Sequence, residues 1–328
     1  MIQAIRLPRA RRRVYASSVR LRDLGEFGLI ERIARAAARS GVGAVVGIGD
    51  DAAVLRLRTG EDAVLTTDAL VEGVHFRWER ESPRHLGARA MAAALSDLAA
   101  MGARPLGVTL ALAAPPALPL VRVDGVVRGI LDAARRFGAP LVGGNVTRAS
   151  ETSLTLAALG GVPRGRALTR DRARAGDRIC VTGTLGEGGL AVARGTTRSD
   201  APQPRLAAGR ALTRLRGVGG CIDVSDGLLA DLGHLLRASR VGADLDVSKL
   251  PRARGFDAAC RRLGLDPVRL AATGGEDYEL VFTIRPGGPT TAALRRGLGL
   301  RVTEIGRVTA RRGLRGVPTS IGTGWVHF

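Results

Sequence analysis

Lysine is nearly missing from this chain: of its 50 lysine and arginine residues, only Lys249 is a lysine. A P-loop of the GxxxxGKS/T type needs that residue beside its phosphates, and no such motif occurs, so a Walker-type ATPase is excluded. Aromatic residues make up 3% of the chain, which leaves little to stack on nucleobases and requires a core of Ala, Val, Leu and Ile. The three cysteines, Cys180, Cys221 and Cys260, lie far apart without CxxC spacing. They exclude a disulfide framework or a cysteine zinc site and fit a reducing cytosol, so a cytoplasmic location is expected. Four histidines (His75, His85, His234, His327) occur without HExxH or GxSxG, which leaves covalent catalysis unsupported. No apolar run reaches the roughly 18 residues of a membrane helix. Asp97, Arg104 and Pro115 interrupt the longest candidate, so no membrane partner is expected.

What is present is a globular composition, 45% hydrophobic, with 45 glycines in 328 residues. That length exceeds what one core usually supports, so two domains are expected. The formal charge of +20 suggests phosphate-rich partners. The arginines are dispersed, however, and aromatics are scarce, so no dedicated nucleic-acid partner is expected. Residues 1–23 carry a run of arginines and read as a basic, disordered extension.

Apolar spacing predicts a helix over 26–40. An apolar run over 42–48 leads to Asp50 and Asp51, and a strand over 63–67 ends at Asp68. Pro83 opens an alanine-rich helix to about Met101, followed by a strand over 108–112, a helix over 118–137 and a strand over 140–142. The turn Gly143-Gly144-Asn145 and a strand over 154–162 come next. A basic connector over 164–176 is the expected boundary between an N-terminal domain, 24–163, and a C-terminal α/β domain, 164–328. Beyond it the chain predicts strands over 177–181, 221–224, 279–284 and 302–308, and helices over 187–194, 205–215 and 228–239. Strand–helix alternation of this kind predicts an α/β fold.

The acids fall in an informative pattern. Asp51 and Asp68 sit at strand ends, Asp223 and Asp226 bracket a strand-to-helix turn, and Asp97 lies inside an alanine-rich helix. A charge there is costly unless it meets water or a cation. Gathered carboxylates suit magnesium, which keeps waters and takes further ligands from phosphates, as in phosphoryl transfer. Each aspartate alone also reads as a turn former or cap, and Asp226 as the N-cap of the helix at Leu228.

The motifs form a series: GEFGLIERI from Gly25, GIGDDAAVL from Gly47, TTDALVEGVHF from Thr66, LSDLAAMGARP from Leu95 and LVGGNVTR from Leu141. GRALTR from Gly165, VTGTLGEGGLA from Val181, PQPRLAAG from Pro202, IDVSDGLLADLGHL from Ile222, GGEDYEL from Gly274 and GWVHF from Gly324 complete it. Through this series, residues 24–328 resemble the thiamine-monophosphate kinase family, within the superfamily of aminoimidazole-ribonucleotide synthase and selenide water dikinase. The resemblance implies a two-domain α/β fold with mixed sheets, a homodimer formed through N-terminal domains, and ATP-dependent phosphorylation of thiamine monophosphate to thiamine diphosphate. It implies several Mg2+ ions held by Asp51, Thr66, Thr67, Asp68, Asp97, Asp223 and Asp226, with a monovalent-cation requirement left open. It further implies that Gly144, Arg170 and Ser225 contact ATP, and that His75, Glu276 and Trp325 contact thiamine monophosphate.

Asn145 departs from the family, which usually has an aspartate there; its carbonyl remains a metal ligand without the charge. An aminoimidazole-ribonucleotide synthase-like enzyme and a catalytically weakened nucleotide-binding paralogue are the alternative readings.

Overall fold

The computed structural model describes residues 19–38, 44–48, 51–198 and 200–321. They fall into two compact units that interleave along the chain. One comprises the described residues up to Arg56 with Thr67–Met91 and Gly107–Ala157; the other comprises Leu57–Thr66, Ala92–Leu106 and the residues from Ala158 onward.

In the first half, helix α1 (Leu21–Ala38) precedes strand β1 (Glu61–Val71), helix α2 (Pro83–Ala100), strand β2 (Arg104–Ala114), helix α3 (Leu120–Phe137), β3 (Leu141–Arg148) and β4 (Ser153–Pro163). The sheet order is β1-β4-β2-β3, with β2 and β3 parallel. Helix α3 shows why the chain folds this way. Val123, Val126, Val127, Ile130, Leu131 and Ala134 recur at three- and four-residue steps and are buried, the stripe that drives a helix onto a core. Gly138 ends it in the left-handed conformation. Helices α2 and α3 touch backbone to backbone: a methyl group at Gly87 would stand 2.0 Å from the Val126 carbonyl oxygen, and one at Gly129 would stand 1.9 Å from that of Arg84.

In the second half the elements are β5 (Arg178–Thr182), α4 (Glu187–Ala193), α5 (Leu206–Leu212), β6 (Val218–Asp223), α6 (Leu228–Ser239), β7 (Gly242–Leu245), α7 (Phe256–Arg262), α8 (Pro267–Thr273), β8 (Leu280–Ile284), α9 (Thr291–Leu298), β9 (Val302–Thr309) and β10 (Gly313–Arg315). They build a six-stranded sheet, β10-β7-β9-β5-β8-β6. It is mixed: β10 runs parallel to β7, while β5, β6, β7, β8 and β9 pair antiparallel. Leu228, Leu232 and Leu235 of α6 are fully buried in its core with Ile179, Val181, Val224 and Val281. Each such side chain contributes about 1.5–3 kcal/mol of burial. Cys180 on β5 and Cys221 on β6 both pair in register with Phe282 on β8, and both thiols are buried. No helix among the described residues is long and apolar enough to cross a membrane.

Four expectations change. The described part of the 42–48 run forms isolated bridges, among them Val46 with Val54, and no strand. Helix α1 begins at Leu21, five residues before the predicted start, and tolerates a non-helical Gly25 at φ 71°. Strand β1 runs three residues past Asp68, so that residue lies inside it. Gly143-Gly144-Asn145 is not a turn but continues β3, because β2 pairs with it through Thr109↔Gly143, Leu110↔Gly144 and Ala111↔Asn145.

Candidate functional site

Strand β6 ends on buried Asp223, and the chain turns through Ser225-Asp226-Gly227 into α6. The turn is held from within the helix. Asp231, one turn into α6, accepts the backbone N–H of Ser225 at 3.0 Å and that of Asp226 at 3.1 Å through the same oxygen. Gly227 occupies the N-cap position without a side-chain cap bond. Asp226 is therefore not the cap, and its carboxylate is left for other work.

Asp97 in α2 joins this turn. Thr66 donates its hydroxyl to Asp97, and Ser96 donates to Asp223 at 2.7 Å. Asp97 is pushed above the usual aspartate range by burial, against the Thr66 hydroxyl and the charge of Arg170. Asp223 is pushed up to about 7, by burial and then by the charge of Asp97, with Ser96 and Arg170 opposing. Asp231 rises to about 8 through burial and the charges of Asp223 and Asp226. His234, one turn further along α6, is lowered by burial and by the charges of Arg237 and Arg170, with Asp226 opposing. Five of the expected residues, Thr66, Asp97, Arg170, Asp223 and Asp226, are thus electrostatic or hydrogen-bonded neighbours, and Ser225 lies in the same turn.

These donors are hard oxygens whose charges repel one another in a buried setting, the environment a magnesium ion relieves. Among the described residues no three His, Cys, Asp or Glu side chains stand close enough to hold an ion by themselves.

GGEDYEL runs beside this turn. Glu276 N–H donates to the Ser225 carbonyl at 2.7 Å, and Tyr278 N–H to that of Val224 at 2.8 Å. The glycine-rich turn after β5 meets the same loop so closely that a methyl group at Gly188 would lie 2.2 Å from the Gly275 carbonyl oxygen. Buried Glu279 accepts from Thr182 at 2.6 Å and from Arg205 Nε at 2.7 Å, with a second bond from Arg205 Nη2. This pair ties PQPRLAAG to GGEDYEL.

Thr67, Asp68, His75, Gly144, Asn145 and Asp51 belong to the other unit. Strand alternation places Thr66 and Asp68 on the face of buried Val64 and Leu70, and Thr67 on the opposite face with exposed Leu65. His75 follows β1; its Nδ1 accepts the Val71 N–H at 3.1 Å, which leaves the proton of the neutral ring on Nε2. Arg89 donates to the His75 carbonyl at 3.0 Å and to Glu81 at 2.7 and 3.0 Å. Gly144 and Asn145 are exposed on β3. A methyl group at Gly144 would lie 2.0 Å from the Leu110 carbonyl oxygen, so no side chain fits. Asp51 is exposed. Trp325 lies outside the described residues.

The sequence reading passed over Ser96, Asp231, Arg89 and Glu81. Ser96 and Asp231 sit inside quoted motifs, next to Asp97 and five residues after Asp226, and that adjacency was the available signal.

The chain matches the family model "AIR synthase related protein, N-terminal domain" over residues 49–162 and the corresponding C-terminal-domain model over 174–317. It is 40% identical over 304 residues to thiamine-monophosphate kinase of Escherichia coli K12, covering 87% of this chain and 91% of that one. A crystal structure of thiamine-monophosphate kinase from Stenotrophomonas maltophilia superposes with a TM-score of 0.76 at 39% identity, covering 88% of this chain and 95% of the other. A second solved structure, AaThiL complexed with AMPPCP and TMP, gives a TM-score of 0.73 at 30% identity, over 94% of this chain and 99% of that one. With both domain models matched in order and full-length relatives at this identity, the chain belongs to the thiamine-monophosphate kinase family.

Proposed function

We propose that the protein transfers the γ-phosphate of ATP directly to the phosphate of thiamine monophosphate, giving thiamine diphosphate and ADP, with several magnesium ions at the carboxylate cluster. The observation that carries the metal and residue assignments is the convergence of Asp97, Asp223, Asp226 and Arg170 on one turn. Thr66, Asp97, Asp223 and Asp226 are the oxygen donors of this cluster that would hold the ions, and the family resemblance adds Asp51, Thr67, Asp68 and Asn145. Bound there, magnesium would neutralise charge on the phosphate oxygens during transfer.

The chain's own residues do the rest. Thr66 and Ser96 fix the rotamers of Asp97 and Asp223 by donating to them. Asp231 fixes the Ser225–Asp226 backbone. Arg170 offers a planar fork to ATP oxygens, an arrangement suited to bidentate phosphate contact, and Gly144 and Ser225 bring backbone near the nucleotide. His75 and Glu276 would contact thiamine monophosphate, and Trp325 would stack on its pyrimidine. An acceptor phosphate is already a nucleophile near neutral pH, so positioning and charge compensation suffice without a dedicated base. A cytoplasmic homodimer completes the reading; exposed Leu65, on the outward face of β1, gives such a contact apolar surface.

The test is purified protein with Mg-ATP and thiamine monophosphate, scored as thiamine diphosphate formed. Product formation that collapses in Asp97→Asn supports the assignment. ATP binding without product would favour the weakened paralogue, and full activity in Asp97→Asn would remove the metal-cluster argument.

A further inference from the structure

The heptapeptide GGEDYEL holds two non-glycine residues in left-handed backbone. Glu276 has φ 61° and Tyr278 has φ 52°; among the described residues the only other non-glycine residue with positive φ is Arg240. Left-handed backbone at a non-glycine residue is costly, and it persists where the surroundings over-determine it. Here the residue between the two supplies that determination.

Asp277 is 4% exposed. Its Oδ2 accepts the Gly186 N–H at 2.6 Å, and its Oδ1 accepts the Gly188 N–H at 3.4 Å. Arg198 Nη1 stands 3.7 Å from Oδ1. Burial pushes Asp277 up to about 7, with the Gly186 bond, Arg198 and the Gly188 bond opposing. The loop thus combines two strained residues with one buried carboxylate. An apolar side chain here would leave the Gly186 and Gly188 amides without this acceptor. Asp277 is too buried to reach a substrate, but its neighbour Glu276 is half-buried and faces partly outward from the same loop.

We infer that Asp277 is a positioning residue: by anchoring the loop to the start of α4 at Gly186 and Gly188, it holds Glu276 where thiamine monophosphate binds. This rests on the reading that Glu276 contacts that substrate. The sequence gives no local sign of it, since Asp277 stands among acids that look alike on the page.

The test measures KM for each substrate and kcat in Asp277→Asn, Asp277→Ala and Glu276→Gln. Asp277→Ala is expected to raise KM for thiamine monophosphate about tenfold, the factor that one hydrogen bond of about 1.4 kcal/mol supplies. KM for ATP should stay within about twofold. Asp277→Asn keeps the volume and one acceptor, and should recover part of the loss. Equal changes in both KM values, or none, in a folded variant would overturn the inference. If Asp277→Ala does not fold, Asp277→Asn decides by the same KM split. If neither folds, the role is structural and the inference fails. Glu276→Gln separates the two ideas. An unchanged KM there removes the reading of Glu276 itself, whereas a raised KM there beside an unaffected Asp277→Ala removes the positioning role alone.

Discussion

Replacing Arg89 by methionine tests the reasoning used for the thiamine-side turn. Arg89 is 3% exposed and Glu81 is fully buried at its side chain. Two bonds from Arg89, at 3.0 and 2.7 Å, and a 2.6 Å contact with His85 Nδ1 satisfy the carboxylate. Burial works to raise Glu81, but the hydrogen bonds from His85 and Arg89 and the charge of Arg89 outweigh it and hold Glu81 below the ordinary 4.5. In the native protein this pairing therefore contributes stability above that value, and the contribution is lost as pH falls through the lowered one. Methionine fills a similar volume without charge; the two guanidinium bonds and the Arg89 charge are gone, His85 alone still opposes burial, and in Arg89→Met Glu81 is expected to take a proton on folding. Protonating a glutamate of ordinary 4.5 at pH 7 costs about 3.4 kcal/mol, at 1.36 kcal/mol per pH unit. The same arithmetic gives about 1.4 kcal/mol at pH 5.5. The value at pH 7 agrees with the 3–5 kcal/mol typical of breaking one side of a buried pair. Urea denaturation at pH 5.5 and 7 is the assay, and the double variant Arg89→Met/Glu81→Gln should recover most of the loss. A destabilisation independent of pH, or below about 1 kcal/mol at pH 7, would refute the reasoning. Because Arg89 also donates to the His75 carbonyl, the single variant should raise KM for thiamine monophosphate as well.

Asn145→Asp is expected to lower the magnesium concentration needed for half-maximal turnover; an unchanged dependence would deny Asn145 a ligand role. Ser96→Ala removes the hydroxyl on buried Asp223 and should raise that magnesium requirement severalfold, checked by metal titration of activity. The pH dependence of stability should differ between wild type and Asp277→Asn. Burial raises Asp277 to about 7, so the native state holds a proton that the unfolded chain releases near 4, and wild-type stability relative to the variant falls as pH rises between these values. A flat difference from pH 4 to 8 would show that Asp277 is not the group responsible.

The parts of the fold that were legible are those with long periodic signals. Helix α2 announces itself through Pro83 and a run of alanines, and α3 through its valine and leucine stripe. Strand β3 was misread because Gly143, Gly144 and Asn145 are turn formers by local preference. Pairing with β2 overrides that preference, and register cannot be seen in one strand alone. Strands β7 and β10 and helices α7, α8 and α9 are too short to show a period and were passed over. At the site, Asp97, Asp223 and Asp226 could be read because charge beside glycine or inside alanine stands out. Asp231 offered only its adjacency to Asp226, and Asp277 not even that, since nothing local tells which carboxylate turns inward to meet backbone amides.

The two thiols on either side of Phe282 have a practical consequence. Burial raises Cys180 to about 12 and moves Cys221 in the same direction, so neither is a thiolate while the central sheet is closed. A disulfide reagent added to the native protein can react there only as often as β5, β8 and β6 part. The rate of that reaction becomes a clock for the opening of the sheet that carries Asp223, with no label added, and slowing of the clock by bound nucleotide would measure how firmly ligand closes it.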